Sequence, residues 1–298
     1  MKLLKYLLLI VISALFLSCS KKVNSDPAYS AELTKWHNNR IENLKKENGW
    51  LNLAGLFWLK PGENKFGSAQ SNDIIFPQES PDNIGTIILK DSNTILKVNN
   101  GVEVTVAGNI VNNLILDNDM TGNPTIMANG SLKWFIIKRG DKYGIRLRNL
   151  NADLIKNFPG IETYDIDKSW RIEGSFNKFA HPEIIKVPSI IGTVEQDTVF
   201  GYLSFNRNGK NYSLVPVVED GSYFIIFADE TNGEETYGAG RFLYTSLPDS
   251  SGKVILDFNK AYNPPCAFTK YATCPLPPKE NYLHLKVTAG EKKFGHEH

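Results

Sequence analysis

The sequence predicts a mainly β protein: antiparallel strands of the sandwich or barrel kind, in one large or two adjoining subdomains, behind a single N-terminal amphipathic helix. Three observations predict it. After Trp50, short runs of β-branched and aromatic residues alternate with turn residues every eight to twelve positions, the spacing of sandwiches and barrels. Asn-Gly and Asp-Gly pairs at Asn208-Gly209 and Asp220-Gly221 are strong hairpin turn signals. Helical periodicity is confined to residues 29–49, where Leu33, Trp36, Ile41 and Leu44 recur among charged and amide residues and Asn48-Gly49 supplies a stop.

Taken in order, residues 1–18 have the layout of a secretory signal peptide: Lys2 and Lys5, then an apolar run that ends at Cys19. The run falls short of the roughly 20 apolar residues of a spanning helix. Phe16-Leu17-Ser18-Cys19 resembles the lipobox of bacterial lipoproteins, with Phe16 where Leu is usual. That resemblance implies acylation of the Cys19 thiol, cleavage before it and attachment to a membrane through lipid. Ser20 after the cysteine, rather than aspartate, points by resemblance to an outer-membrane destination in the bacterial cell envelope. Residues 19–28 then read as a polar tether, 29–49 as the helix, 50–150 as an N-terminal sandwich-like subdomain and 151–298 as a C-terminal β-subdomain.

Within 50–150, strands are expected at 86–89, 94–98, 102–106 and 113–116, and a hairpin at 132–138 and 143–147 turns through Arg139-Gly140-Asp141. Residues 149–178 read as a junction. Strands are expected again at 184–187, 192–194, 199–205, 212–218 and 223–228. Residues 241–245 are expected to pair with 254–258, and 283–288 to form a closing strand. Asn263-Pro264-Pro265-Cys266 and Cys274-Pro275-Leu276-Pro277-Pro278 remove backbone donors, so they predict a rigid extended surface segment bracketing Phe268 and Tyr271.

The 33 basic and 32 acidic residues leave no clustered basic surplus, which argues against a nucleic-acid partner. With Cys19 used for lipid, Cys266 and Cys274 read as a disulfide, as buried free thiols or as a metal or catalytic pair. Gly-x-Ser-x-Gly, His-Glu-x-x-His, Walker and Cys-x-x-Cys motifs are missing from the sequence.

Trp50-Leu51-Asn52-Leu53-Ala54-Gly55-Leu56-Phe57-Trp58-Leu59, Tyr237-Gly238-Ala239-Gly240-Arg241-Phe242-Leu243 and Leu256-Asp257-Phe258-Asn259-Lys260-Ala261-Tyr262-Asn263-Pro264-Pro265-Cys266 resemble the domain of unknown function 1684. The resemblance implies no activity and no catalytic residue. Residues 62–76 are similar to the opening of forkhead-associated sandwich domains, which read phosphothreonine through an Arg. Ser68 stands in the place of that Arg, so the likeness supports a sandwich and argues against phosphopeptide binding.

The densest polar stretch runs from Asp229 to Tyr237. Asp229, Glu234 and Glu235 offer oxygens to a hard cation such as Ca²⁺, against the reading of a solvated turn that needs no cofactor. Glu235, Arg241, Asp257, Asn259 and Asn263 make an acid–base or anion site if their segments meet, or a buried ion pair holding the proline-rich segment. Arg146 and Arg148 share one face of a strand, with Arg171 a possible neighbour, and suit a carboxylate or phosphate unless that face is wet. His37, His181 and His284 are scattered, and His296 and His298 occupy the tail. Two functions follow: a lipid-anchored, non-catalytic module for a small-molecule or protein ligand, or an envelope hydrolase built on Glu235, Arg241 and Asp257.

Overall fold

The computed structural model describes residues 26–295. The signal segment, Cys19 and the His296 to His298 tail lie outside the described residues. The chain is mainly β, with antiparallel sheets and one long helix at its start. That helix, Pro27–Lys45, begins where Asp26 accepts from the backbone of Ala28 and Tyr29 and Pro27 sets the first turn. It buries Tyr29, Leu33 and Leu44. A side chain at Gly49 would meet the Leu44 carbonyl at 2.2 Å, so the chain reverses there against the helix end only because the residue is glycine.

Residues 53–149 form two sheets around one core. A six-stranded sheet takes the order Leu53–Trp58, Lys142–Asn149, Leu132–Arg139, Met127–Asn129, Thr105–Val106, Asn109–Ile110. A five-stranded sheet takes the order Ile74–Ile75, Gly62–Gly67, Gly85–Lys90, Asn93–Val98, Asn113–Leu116. Phe66, Ile87 and Leu96 from the second meet Trp134, Ile136, Ile145 and Leu147 from the first, with the Phe66 and Phe76 rings edge-on to Trp134. Alternation along Lys142–Asn149 sends Tyr143, Ile145 and Leu147 into this core and Gly144, Arg146 and Arg148 to the opposite face. That opposite face is buried too, because the C-terminal half packs over it.

The C-terminal half holds a four-stranded sheet, Lys210–Leu214, Val194–Arg207, Arg171–Pro188, Lys253–Asp257. Beside it lie Val217–Glu219, Ser222–Asp229 and Arg241–Ser246, with Tyr282–Leu283 running parallel to Asp229. Ser222–Asp229 is buried on both faces: Tyr223, Ile225 and Phe227 enter one core with Leu203, Leu256 and Phe258, while Phe224 and Ile226 enter another with Ile185, Val199 and Phe242.

Several expectations are corrected. Residues 171–188 are one long strand rather than the end of a junction, interrupted by a bulge between Lys178 and Glu183. The expected strand 212–218 breaks at Val215, whose N–H donates to Asn281 and whose carbonyl accepts from it, so its two halves join different sheets. Arg241–Ser246 does not pair with Lys253–Asp257; each pairs elsewhere, and the Thr245 hydroxyl bonds the Ile255 carbonyl across the gap at 2.7 Å. The closing strand is only Tyr282–Leu283, since the carbonyls of Val287, Ala289 and Glu291 turn to Arg241. The proline-rich segment is not a surface feature: Ala267, Phe268, Ala272, Cys274, Pro277 and Pro278 are buried. Prolines bring no donor inside, and the nearby N–H groups of Leu276 and Ile190 find the carbonyls of Pro188 and Cys274.

Candidate functional site

Arg241 and Asp229 form a fully buried ion pair at 2.8 Å. The guanidinium also donates to the carbonyls of Val287, Ala289 and Glu291 at 2.9, 2.5 and 3.3 Å. The Asp229 carboxylate further accepts from the backbone and hydroxyl of Thr231 and from the Val287 N–H. This is the structural reading of Arg241: a charge consumed in pinning residues 287–291 under the strand Arg241–Ser246.

The other four residues of the sequence-based cluster enter separate networks. Asp257 accepts from the Tyr29 hydroxyl at 2.7 Å and caps the short turn Phe258–Lys260. Asn259 ties that pair to the backbone of Asp167. Burial and the Asp257 carboxylate together push the Tyr29 phenol well above its usual range. Asn263 donates its N–H to Glu291 at 2.7 Å and its amide to the Lys292 carbonyl at 2.7 Å. Glu235 is exposed, and its carboxylate accepts a 3.0 Å bond from the Tyr164 hydroxyl. Glu235, Arg241 and Asp257 therefore assemble no acid–base centre.

The loop after Asp229 offers a cation little. No three His, Cys, Asp or Glu side chains converge on a point among the described residues. Glu234 and Glu235 face solvent, and a cation at Asp229 would have to displace Arg241.

The concave site lies elsewhere. A cavity of about 1070 Å³ opens between the helix, the arginine face of the six-stranded sheet, the strands around Phe224 and Phe242, and the proline-rich segment. Trp36, Trp50, Phe224, Phe242, Tyr244 and Tyr262 give it aromatic walls. Arg40 spans its floor: its guanidinium sits 4.4 Å from the Tyr262 ring centre, pairs with buried Glu291 and donates to the Asn263 carbonyl at 2.9 Å. Tyr244 donates to Glu219, and burial, then that carboxylate, raises its phenol. Of the five sequence-based candidates, only Asn263 lines this space, with a buried side-chain oxygen that has no hydrogen-bond partner among the described residues.

Arg146 and Arg148 are buried on the cavity side of their strand, so this face is not the wet side of a half-buried sheet. Arg148 serves the backbone, donating to the Gly49 carbonyl and to Asn52. Arg146 lines the cavity and has, among the described residues, one hydrogen bond, 3.2 Å to the Thr273 hydroxyl. Burial, reinforced by the Arg139 charge, lowers its guanidinium to about 10, still protonated at neutral pH. Arg171 is not part of this group and sits opposite Asp257 in the neighbouring sheet. Arg139, Thr273, Tyr244 and Arg40 gave no sign in sequence; only the alternation of Arg146 with Ile145 and Leu147 marked this face.

Cys266 and Cys274 are adjacent free thiols, with the Cys266 N–H donating to the Cys274 sulfur at 3.1 Å. Burial raises the Cys274 thiol, which lines the cavity, while the hydrogen bond from Cys274 lowers that of Cys266.

A family model described as a protein of unknown function, DUF1684, matches residues 156–292. The chain is also similar to an uncharacterised protein of Haloarcula marismortui, solved by solution NMR, at 32% identity over 46% of this chain and 78% of that one, with a TM-score of 0.38. No curated protein matches it. The matched span contains the motifs around Arg241 and Asp257, whereas the Trp50 to Leu59 motif lies before it. Through residues 156–292, the chain belongs to the DUF1684 family, a family of unknown function.

Proposed function

We propose that the protein is a non-catalytic binding module, tethered to the bacterial envelope through lipid on Cys19, that encloses a small molecule between its N-terminal sheet and its C-terminal half. The observation that carries the binding reading is the cavity of about 1070 Å³. It stands just above the about 300–1,000 Å³ typical of small-molecule pockets, and joins aromatic walls to charged and amide side chains that could orient a ligand. The tether reading rests on the sequence of residues 1–19 alone.

Asn39 and Asn43 sit on the exposed side of the helix and line the cavity mouth, so tryptophan there occludes it without touching the core. Native mass spectrometry of the full-length protein from its host should show a bound small molecule that Asn39→Trp/Asn43→Trp loses at unchanged melting temperature. An identical ligand content in the occluded variant would remove the binding reading. Cys19→Ala should shift the protein from the membrane to the soluble fraction, and unchanged fractionation would remove the tether.

A further inference from the structure

The arginine end of the cavity is short of negative charge. Arg146 is only 4% exposed, sits on a strand hydrogen-bonded to neighbours on both sides, and has no carboxylate within ion-pair distance among the described residues. Its Nε has no hydrogen-bond partner among them. The Trp50 ring 5.6 Å away supplies a π face, a poor substitute for an anion. A desolvated guanidinium left this way destabilises the empty protein unless something else requires it.

A second guanidinium converges on the same atom. The Thr273 hydroxyl accepts from Arg146 at 3.2 Å and from Arg139 Nε at 3.1 Å. One hydroxyl oxygen has two lone pairs, so both are engaged and only its proton remains to be given. The carboxylate beside this pair, Asp119, is already taken: one oxygen holds Arg139 at 2.7 Å and the other accepts the Lys138 N–H at 2.9 Å. Two like charges held on one oxygen, with a hydroxyl left only to donate, form a cradle for a ligand that accepts hydrogen bonds and carries negative charge.

We propose that this cradle selects an organic oxyanion, a carboxylate or phosphate ester on an apolar body, with Arg146 and Thr273 donating to the anion and the aromatic walls covering the body. The proposal rests on the binding reading and adds to it the ligand's charge and the residues that recognise it. A planar guanidinium fork suits both oxyanions, and the aromatic lining distinguishes an organic anion from a bare ion.

The test is calorimetric titration and thermal melting of the full-length protein in detergent, with benzoate, phenyl phosphate, inorganic phosphate and benzyl alcohol as probes. Benzoate or phenyl phosphate is expected to bind at least tenfold more tightly than neutral benzyl alcohol, and the preferred one identifies the anion class. Arg146→Met should erase that preference while the empty variant melts no lower than wild type. Arg146→Lys should keep part of it, and Thr273→Val should weaken it, which guards against a single variant that misfolds. Equal binding of benzyl alcohol, or a preference that survives Arg146→Met, would overturn the proposal and leave the binding reading intact. Inorganic phosphate binding as tightly as phenyl phosphate would overturn the organic part. Binding of none of the four would overturn the whole, and the tryptophan-occluded variant would then judge the binding reading separately.

Discussion

Arg241 and Arg146 both carry buried guanidinium groups, and their surroundings differ in kind. Arg241 has a carboxylate at 2.8 Å and three backbone carbonyls. Arg146 has one shared hydroxyl. Both leave Nε without a partner among the described residues, so the difference lies in the terminal nitrogens and in the counter-charge. A buried charge saturated by its own chain is a structural joint, because removing it strands the groups that were arranged around it. A buried charge left wanting marks a place where the protein expects something from outside.

The sharpest way to break this comparison is to remove each arginine. Arg241→Met leaves the Asp229 carboxylate and the carbonyls of Val287, Ala289 and Glu291 buried without their donor. Breaking one side of a buried pair costs about 3–5 kcal/mol, so denaturant unfolding should show a loss of that size or no folded protein at all. Arg146→Met should do the reverse. Replacing a buried charge by an apolar side chain of similar volume is often neutral or stabilising, by up to about 4 kcal/mol. An Arg146→Met variant as damaged as Arg241→Met would place both arginines in the same structural class.

Between these extremes stands Glu291, which holds Arg40 and the Asn263 N–H beneath the cavity floor. Its side chain is fully buried, and a hydrogen bond to a charged group contributes about 1.5–3 kcal/mol. Glu291→Gln keeps the shape and removes the charge, so unfolding should show a loss within that range. The same variant frees Arg40 to face the cavity, and binding of an anionic probe should tighten rather than weaken. A variant that weakens anion binding would show that Arg40 is only a prop for the floor.

What was legible in sequence follows from how far apart the cooperating residues stand. The hairpin at Arg139-Gly140-Asp141 pairs Arg139 with Lys142 as its turn chemistry requires. Asn208 and Asp220 both adopt the left-handed conformation their dipeptides announced. The stripe of Leu33 and Leu44 packs the helix, whose bounds are Pro27–Lys45 rather than 29–49. Local rules failed where a distant side chain overrode them. Asn281 splits the 212–218 strand from 66 residues away, and Arg241 draws the carbonyls of 287–291 out of a closing strand. The cavity is beyond local rules altogether: Arg146 and Thr273 are 127 residues apart, and nothing in either segment records the meeting. Grouping the polar residues nearest in sequence, Glu235 with Arg241 and Asp257, selected a structural joint and its neighbours instead.

The gentlest test concerns Glu235, the exposed member of that grouping. Tyr164 donates to it at 3.0 Å, and burial, then this carboxylate, raises the phenol from 10.0 to about 12. A phenol whose folded-state value exceeds its unfolded value keeps its proton more tightly when folded. Its contribution is therefore complete below pH 10 and is lost as pH rises from 10 to 12. Wild type and Tyr164→Phe should differ by a constant amount below pH 10, with wild type losing ground to the variant across the next two pH units. Solvent around the half-buried ring screens the pair, so the change should stay below about 1 kcal/mol. Other buried phenols titrate in both proteins and cancel in the difference. Parallel stability curves up to pH 12 would mean that Tyr164 and Glu235 do not share a proton bond in solution, leaving the Glu235 carboxylate to solvent.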